Sequence, residues 1–477
     1  MTQPTFFWLD YETFGAVPRS DRPSQFAGIR TDAALNEIGE PVMLYCQPTP
    51  DYLPAPEACL LTGITPQLCQ QRGVPEHQFA AAIEAELAAP GTIGVGYNSI
   101  RFDDEVTRFL FWRNLIDPYA REWQHGCGRW DLLDVVRATY ALRPEGIEWP
   151  RHEDGLPSFK LEHLSAANGL LHEAAHDALS DVRATIALAR LIRNRQPKLF
   201  EFCLSLRQKD TVRHQLSLHA PKPLIHVSGM FGSARGNLAI VWPLAEHPSN
   251  KNEVLVWDLA HDPSELLQLD ADEIRLRLFS RSDALPEGVS RLPVKGLHVN
   301  KSPFVVSDLR VLSPSRAEAL GIDMALIERH AAIAAGLPRL DALWRQVYQR
   351  EAGGAPDVDE NLYGGFVSNH DRRLLSRLRQ LTAPQLAAER PVFDDSQLGR
   401  LLWRYRARNF PHSLNAEEAR HWQAWCTQKL TSGQPGGRSH ASYQQELATL
   451  AATATPAQQD ILQALAAWAA QLPGYAG

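Results

Sequence analysis

The first 190 residues alternate short apolar segments with amphipathic ones, and this alternation constrains the fold more than any other feature of the sequence. Strands are predicted at 6–10 (FFWLD), 41–47 (PVMLYCQ) and 92–98 (TIGVGYN). Helices are predicted at 76–89, from near Phe102, at 129–142 and at 177–194. Strands that alternate with helices indicate an α/β domain built on a central mixed sheet.

The pattern changes twice after this domain. At 477 residues the chain has room for about three domains. Past residue 222, β-branched runs broken by glycine and proline predict a small β-rich barrel or sheet with helical insertions. The stretch 351–361 (EAGGAPDVDEN) is typical of a linker, and 366–470 predicts a helical bundle.

Composition limits the class of protein and its partners. The net charge of −7 weighs against nucleic-acid binding, although a local basic groove on an acidic body would overcome it. Six cysteines without a C-x-x-C pair argue against a zinc site or a disulfide framework and indicate a cytoplasmic protein. The N-terminus lacks the basic region of a signal peptide, and no apolar stretch approaches the roughly 18 residues of a membrane span.

The first candidate for chemistry is the pair Asp10 and Glu12 at the end of the first predicted strand. Residues two apart in a strand face the same side, so the two carboxylates can converge. Adjacent acids repel each other unless a cation joins them, and Mg²⁺ or Mn²⁺ prefers oxygen ligands. A D-x-E motif alone is more often a strand that runs into an acidic turn.

Two further motifs supply acids at helix starts. In GYNSIRFDDEVTR, Asp103 is favoured over Asp104 because it directly follows the apolar Phe102, although either one alone would usually be a favourable acid near a helix N-terminus. In HDALSD, Asp181 is expected one turn inside a helix capped by Asp177.

His176 would then lie just before that helix, since positions five apart on a helix diverge by about 140°. A base placed there can swing towards a substrate, whereas a lone histidine before a helix is normally structural or exposed.

The motifs Asp-x-Glu, Asn-x-x-Phe-Asp and His-x-x-x-x-Asp, in this order, resemble the histidine subclass of the DnaQ-like (DEDD) 3′→5′ exonucleases. Segments spread over the chain, such as LDYETFG, DGLPSFKLEHL, HVSGMFGSARGN and LLWRYRARNFP, are similar to the bacterial exodeoxyribonuclease I family. This resemblance implies an α/β, ribonuclease H-like nuclease domain at 5–195. It also implies an SH3-like β-rich domain with helical insertions at 197–350 and an α-helical C-terminal domain at 351–470.

The resemblance also implies processive hydrolysis of single-stranded DNA in the 3′→5′ direction, with release of 5′-mononucleotides, in DNA repair and recombination. Asp10, Glu12 and Asp181 would bind two Mg²⁺ ions, with Mn²⁺ as the alternative metal, and Asp103 would assist them. His176 would deprotonate the attacking water, a task that suits an imidazole with a pKa near 7. Two such cations activate water and stabilise the leaving oxygen.

By the same resemblance, the DNA contacts are Glu12, Arg108, Tyr119, Trp123, Arg137 and Lys160. Tyr119 and Trp123, in a polar loop, are the better stacking candidates, whereas Phe111 and Trp112 are expected in the core. Lys160 stands where the best-known relative has arginine, so it keeps the charge but loses the bidentate fork. Three arginines on alternate positions, Arg404, Arg406 and Arg408, would spread around a helix, either towards substrate or as a solvated face.

Partners and alternatives complete the hypothesis. The resemblance implies that the acidic C-terminal tail of single-strand DNA-binding protein docks on a basic patch that includes Arg143. No membrane partner is expected, and the chain is expected to be a monomer. The alternatives are a DnaQ-like proofreading or RNA-trimming 3′→5′ exonuclease and a non-catalytic single-strand DNA-binding scaffold. The nuclease alternatives are usually nearer 200 residues long, and the scaffold would not need all five active-site residues.

Overall fold

The computed structural model describes residues 4–170, 177–349 and 356–475. The chain divides into two compact units. The first comprises Met1–Gly128, Glu173–Arg183 and Gly354–Gly477, and the second comprises Arg129–His172 and Ala184–Gly353. The C-terminal segment therefore belongs to the same unit as the N-terminal α/β segment.

The elements follow one another in chain order. The strands are β1 (Thr5–Thr13), β2 (Pro23–Thr31), β3 (Val42–Tyr45), β4 (Thr92–Gly96), β5 (Gly128–Asp131), β6 (Leu224–Val227), β7 (Leu238–Glu246), β8 (Glu253–Asp258), β9 (Val294–His298) and β10 (Phe304–Val306). The helices up to residue 216 are α1 (Pro56–Thr62), α2 (Pro66–Arg72), α3 (Glu76–Leu87), α4 (Asp103–Arg113), α5 (Leu132–Leu142), α6 (Leu161–Ala167), α7 (Ala178–Arg195), α8 (Pro197–Ser205) and α9 (Lys209–Leu216). The later helices are α10 (Ala271–Phe279), α11 (Pro314–Ala319), α12 (Met324–Ala335), α13 (Asp341–Val347), α14 (Asn369–Leu378), α15 (Ala383–Ala388), α16 (Gln397–Asn409), α17 (Ala416–Ser432), α18 (His440–Ala451) and α19 (Pro456–Ala469).

The sheet of the first unit has the strand order β3-β2-β1-β4, and β5, which begins at Gly128 of this unit, follows β4. β1 pairs antiparallel with β2 and parallel with β4, so the predicted mixed sheet is confirmed. No strand was predicted at β2, because polar residues and a glycine interrupt its apolar pattern. The helix predicted over 129–142 begins only at Leu132, since the preceding residues form β5.

The apolar side chains of β1 are buried on both faces of the sheet. Phe7, Leu9 and Tyr11 belong to a buried cluster with residues of α3 and α4, including Phe111. Alternation places Trp8, Asp10 and Glu12 on the opposite face. Alternation along the strand therefore places the two acids on one shared face.

The C-terminal helices pack on the α/β segment through apolar clusters. Phe14, Tyr52 and Leu53 pack with residues of α18 and α19, such as Tyr443 and Leu465. In a second cluster, Trp112 packs with residues of α14 to α16, as was expected of a core residue. The prediction of a helical segment over 366–470 is confirmed.

The linker predicted at 351–361 is wrong for its described half, since Asp359 is buried against arginines of α16. The prediction for Arg404, Arg406 and Arg408 is also wrong. All three are buried in ion pairs, with Asp357, Glu418 and Asp51 among their partners. Tertiary acids brought from elsewhere in the chain neutralise these arginines, and the local sequence does not reveal such acids.

The second unit contains an antiparallel sheet with the strand order β10-β6-β7-β8-β9. Its strands coincide with the predicted β-branched runs, so the β-rich expectation with helical insertions is confirmed. None of the helices in the described ranges is long and apolar enough to cross a membrane. All six cysteines lie within the described ranges, where they are buried and form no disulfide.

Candidate active site

The candidate active site lies at the end of β1 that extends beyond its pairing with the parallel strand β4. β1 pairs with β4 from Thr5 to Trp8, so Asp10 and Glu12 lie beyond the paired segment. On the other side they remain in register with Ala27 and Gln25 of β2. In an open α/β sheet, ligands bind at the carboxyl ends of parallel strands, where the chain leaves the sheet. The rigid central strand therefore presents both carboxylates at such an edge.

Asp181 completes a cluster of three carboxylates. It lies in the first turn of α7, which begins at Ala178. The Asp177 carboxylate accepts a hydrogen bond from the Ser180 amide at 3.1 Å, as predicted for the residue that caps this helix. Asp10, Glu12 and Asp181 each place a carboxylate oxygen within 4.8 Å of the others, a spacing that can hold a metal ion.

A tight turn after β4 brings Asp103 to the same cluster. Gly96 leaves no room for a side chain, because a Cβ there would lie 2.9 Å from the Leu9 carbonyl oxygen. Asn98 then adopts a left-handed conformation, with φ of 64°, before α4 begins at Asp103. The Asp103 Oδ1 atom accepts a hydrogen bond from the Tyr11 amide at 3.1 Å, directly between the two acids of β1.

The neighbouring acid Asp104 points to a different partner. Its Oδ1 atom lies 2.6 Å from the Arg121 guanidinium, and both side chains are buried. Asp103 therefore lies near the cluster, whereas Asp104 pairs with a structural arginine. This geometry supports the choice of Asp103 that the sequence suggested.

Burial and the closeness of the carboxylates raise the pKa values of Asp10 and Glu12. Burial and then the neighbouring Asp103, Glu12 and Asp181 hold the pKa of Asp10 well above its usual range. Burial, together with Asp181 and Asp103, raises the pKa of Glu12 to about 8. Without a cation the site would therefore retain protons near neutral pH, and a bound divalent cation would remove this repulsion.

Asp177 was missed as a member of this group. Its negative charge contributes to the raised pKa of both Asp10 and Glu12, in addition to its role as a helix cap. Its place immediately before the predicted helix and close to Asp181 was the only signal in the sequence. The predicted base His176 lies outside the described residues.

Besides Glu12, three of the predicted DNA contacts belong to the first unit. Trp123 is 68% exposed, which suits a stacking platform, whereas Tyr119 is half-buried beneath the Arg108 guanidinium. Arg108 itself is 5% exposed and pairs with Glu122 at 2.7 Å and with Glu105 at 2.6 Å. The positive charge of Arg108 is therefore largely balanced by these two glutamates.

The other two lie in the second unit. Arg137 pairs with Asp134 at 2.9 Å and packs so closely on Gly229 that a Cβ there would lie 2.9 Å from its Nη2 atom. Lys160 has a side chain that is 61% exposed, 3.7 Å from Glu162. Arg143, predicted for the partner patch, donates a hydrogen bond to the Val311 carbonyl oxygen at 2.8 Å.

Comparison with known families decides the identity of this fold. Residues 7–189 match an exonuclease family, residues 207–350 the exonuclease I SH3-like domain and residues 356–472 the exonuclease I C-terminal domain. The exodeoxyribonuclease I of Haemophilus influenzae is 47% identical over 431 residues, which cover 89% of this chain and 90% of that protein. The Escherichia coli enzyme is 47% identical over 422 residues, with 88% of each chain covered.

This chain belongs to the exodeoxyribonuclease I family. The resemblance seen in the sequence is thereby confirmed, as are the predicted fold class and the prediction that the chain is an enzyme of this type. The domain boundaries predicted at 195–197 and 350–351 remain predictions.

Solved structures of the family have the same fold as this chain. An exonuclease I from Methylocaldum szegediense superposes with a TM-score of 0.93 at 47% identity and covers 98% of this chain and 99% of its own. E. coli exonuclease I in complex with a dA16 oligonucleotide has the same TM-score at 44% identity, with the same coverage.

Two further E. coli structures are a zinc-ion-bound exonuclease I–ssDNA complex and an ExoI/SSB-Ct complex. Each is 44% identical and covers 98% of this chain and 99% of its own, with TM-scores of 0.93 and 0.92. Together with the family, the acidic cluster indicates a divalent-metal site in this chain.

Proposed function

We propose that this protein hydrolyses single-stranded DNA processively from a free 3′ end and releases 5′-mononucleotides, in DNA repair and recombination. The observation that carries this proposal is the cluster of Asp10, Glu12 and Asp181, with oxygens within 4.8 Å of one another, in a chain of the exodeoxyribonuclease I family. The relatives of the family include exonuclease I in complex with single-stranded DNA, which supports the same substrate here.

Two Mg²⁺ ions, with Mn²⁺ as the alternative, fit this donor set because it consists of carboxylate oxygens alone. Asp10, Glu12 and Asp181 would hold them, and Asp103 would assist. When bound, such ions lower the pKa of a water and stabilise the leaving oxygen of an in-line displacement. The Tyr11 amide fixes Asp103, and the capped start of α7 fixes Asp181, so the protein orients its ligands before the metal arrives.

His176 is the proposed general base, on the strength of its place in the family motif. It would take the proton of the attacking water at an imidazole nitrogen and return it to solvent after the nucleotide leaves. Glu12 would also contact the terminal nucleotide, and Trp123 and Tyr119 would stack on bases. Arg108, Arg137 and Lys160 would complete the contacts to the strand.

The test is degradation of a 5′-labelled single-stranded oligonucleotide with Mg²⁺ present. Successive shortening from the 3′ end is expected, and excess chelator or Asp181→Asn should abolish it. Asp272→Asn is a matched control, because Asp272 also lies in the first turn of a helix but is exposed. Cleavage that persists in Asp181→Asn would overturn the proposal.

The same assay separates the alternatives. An RNA-trimming enzyme would shorten an RNA of the same sequence at least as fast, and a proofreading enzyme would remove a mismatched 3′ end from a primer–template duplex. A non-catalytic scaffold would bind the oligonucleotide without shortening it. We expect this protein to shorten unpaired DNA faster than either the RNA or the primer–template duplex.

The proposed partner besides DNA is the acidic C-terminal tail of single-strand DNA-binding protein, and a family structure is described as an ExoI/SSB-Ct complex. Arg143 remains the candidate for part of the docking patch. A labelled tail peptide should bind with an affinity that Arg143→Gln weakens. We also propose that the protein is a cytoplasmic monomer, which light scattering after size-exclusion chromatography would test for the oligomeric state.

A further inference from the structure

A buried threonine of α4 contacts both β1 and the first turn of its own helix. Thr107 lies one turn after Asp103, and its side chain is fully buried. Its Oγ1 atom lies 3.0 Å from the Tyr11 hydroxyl oxygen and 2.8 Å from the Asp103 carbonyl oxygen. All three residues belong to the first unit, and the proposed function gives no task to Thr107 or to the Tyr11 side chain.

The direction of these two hydrogen bonds follows from the protons that are available. A threonine hydroxyl carries one proton, and a carbonyl oxygen can only accept. Thr107 therefore donates to the Asp103 carbonyl oxygen, and the Tyr11 hydroxyl donates to Thr107. The two hydroxyls form a chain that runs from β1 to the first residue of α4.

Tyr11 also contacts Asp103 through its backbone, since its amide donates to the Asp103 carboxylate at 3.1 Å. Asp103 is thus held at two places, at its carboxylate by the Tyr11 amide and at its carbonyl oxygen by the hydroxyl chain. Tyr11 lies between Asp10 and Glu12 in the sequence of β1. Both attachments therefore fix Asp103 relative to the strand that carries two of the three clustered carboxylates.

The Tyr11 side chain is a rigid anchor for this chain of hydroxyls. It is 4% exposed, and the centre of its ring lies 4.8 Å from that of Phe26 on β2. Thr107 and Asp103 are buried as well, so bulk water cannot replace a lost partner of either hydroxyl. A buried hydroxyl without a partner is costly, and both bonds should therefore persist in the folded protein.

A second threonine shows what Thr107 would do without Tyr11. Threonine hydroxyls within helices often bond to the carbonyl oxygen four residues earlier. Thr139 of α5 makes this bond to Val135 at 2.8 Å and is equally buried. Within the described ranges its hydroxyl has no second side-chain partner, whereas Thr107 also contacts a residue of β1. The link to the strand of the acidic cluster distinguishes Thr107 from an ordinary helical threonine.

We propose that Thr107 is a positioning residue of the candidate active site. With the Tyr11 hydroxyl it holds the first turn of α4 against β1 and keeps the Asp103 carboxylate beside the metal ligands. Side chains that orient a metal-site carboxylate in this way typically contribute about 10- to 100-fold to metal affinity or activity. The inference rests on the proposed function, because it deepens the account of the same site.

The first experiment measures turnover of a single-stranded oligonucleotide at saturating Mg²⁺. Thr107→Val keeps the shape of the side chain but removes the hydroxyl, and it should lower kcat by about 10- to 100-fold with KM unchanged. Thr107→Ser retains the hydroxyl and should restore most of the parent kcat. A parent-like kcat in Thr107→Val would overturn the proposal, as would a Thr107→Ser variant as slow as Thr107→Val.

Double variants test whether Thr107 acts through the named partners. Tyr11→Phe should lower kcat about as much as Thr107→Val, and the two changes together should cost no more than either alone, because both break one chain. In the Asp103→Asn background, Thr107→Val should have no further effect on kcat. Effects that multiply with Asp103→Asn would show that Thr107 acts elsewhere, contrary to the proposal.

The control for stability is Thr139→Val, which removes the same type of helical hydroxyl bond. It should leave kcat at the parent value. The double variant Tyr11→Phe/Thr107→Val leaves no buried hydroxyl without a partner and should melt close to the parent temperature. If this variant had both the melting temperature and the kcat of the parent, the hydroxyl chain would have no part in positioning Asp103.

Metal binding separates this inference from the proposed function. Binding of Mn²⁺ to the protein without DNA is measured by electron paramagnetic resonance. Thr107→Val should bind Mn²⁺ about 10-fold or more weakly than the parent, and Thr139→Val should bind it equally well. Failure of the parent to shorten DNA would contradict the proposed function, and Mn²⁺ binding would then decide the inference alone. Unchanged Mn²⁺ affinity in Thr107→Val would overturn it.

Discussion

The buried carboxylate of Asp51 accepts a hydrogen bond from the Arg408 guanidinium at 2.9 Å, although 357 positions of sequence separate the two residues. Burial alone would raise the pKa of Asp51, but Arg408, Lys429 and Arg22 together hold it well below its usual range. Arg408 also pairs with Asp359, so one side chain of α16 bridges two buried acids. The C-terminal helices are therefore part of the core that carries the nuclease sheet.

Replacement of Arg408 by methionine should destabilise the first unit by about 3–5 kcal/mol, because it leaves Asp51 and Asp359 buried with too little positive charge. Urea unfolding followed by tryptophan fluorescence measures this change. Arg339→Met is the control, since Arg339 is 89% exposed in its pair with Asp341 and should leave the unfolding midpoint unchanged. An Arg408→Met midpoint equal to that of the parent would show that the network adds nothing to stability.

The metal-free protein should lose stability as the pH rises. The pKa of Glu12 is about 8 in the folded protein against 4.5 for the free side chain, so its contribution is present below pH 4.5 and lost towards pH 8. Mg²⁺ binds the ionised form, and its stabilising effect on the melting temperature should therefore be larger at about pH 8 than at about pH 6. Thermal melts with chelator and with Mg²⁺ at both pH values measure this.

Glu12→Gln provides the matching control. In chelator at about pH 8 the variant should be more stable than the parent, because the amide removes the repulsion from Asp181 and Asp103. It should also lose most of the stabilisation by Mg²⁺. If Mg²⁺ raised the melting temperature of the parent equally at both pH values, the carboxylates would not be the groups that bind it.

Asp103 and Asp104 should respond in opposite ways to the same change. Asp103→Asn should lower kcat by about 100-fold or more at an almost unchanged melting temperature, because the amide keeps the contact to the Tyr11 amide but loses the charge. Asp104→Asn should instead lower the stability by about 3 kcal/mol, since it leaves the buried Arg121 without its counter-charge. Turnover and thermal melts of both variants are compared. The reverse pattern would assign the catalytic role to Asp104.

Lys160→Arg should tighten binding of single-stranded DNA several-fold, because a guanidinium can hold a phosphate through two parallel hydrogen bonds. Lys160→Ala should weaken binding and reduce the salt dependence by the contribution of one phosphate contact. Anisotropy titrations at several salt concentrations measure both effects. Lys209→Arg, in the same unit, is the control for a general gain of affinity from arginine. No change in either Lys160 variant would remove this residue from the substrate path.

Local patterns were sufficient for much of the fold. The apolar run of β1, the β-branched runs of the second unit and the helical C-terminal segment were all predicted, because each buries a regular face whose period is visible in the sequence. β2 was not predicted, since Ser24, Gln25 and Gly28 interrupt its apolar pattern and pairing with β1 stabilises it instead.

The sequence by itself determined that Asp10 and Glu12 share one face of β1, that α7 has a cap and that Asp181 lies one turn inside this helix. These features depend on the period of a strand and on the first turn of a helix, which neighbouring residues control. Only the tertiary structure decided that Asp104 pairs with Arg121 while Asp103 joins the cluster, and that Arg404, Arg406 and Arg408 are buried in ion pairs. Ion pairs of this kind join residues far apart in the chain, so their partners exist only once the fold has formed.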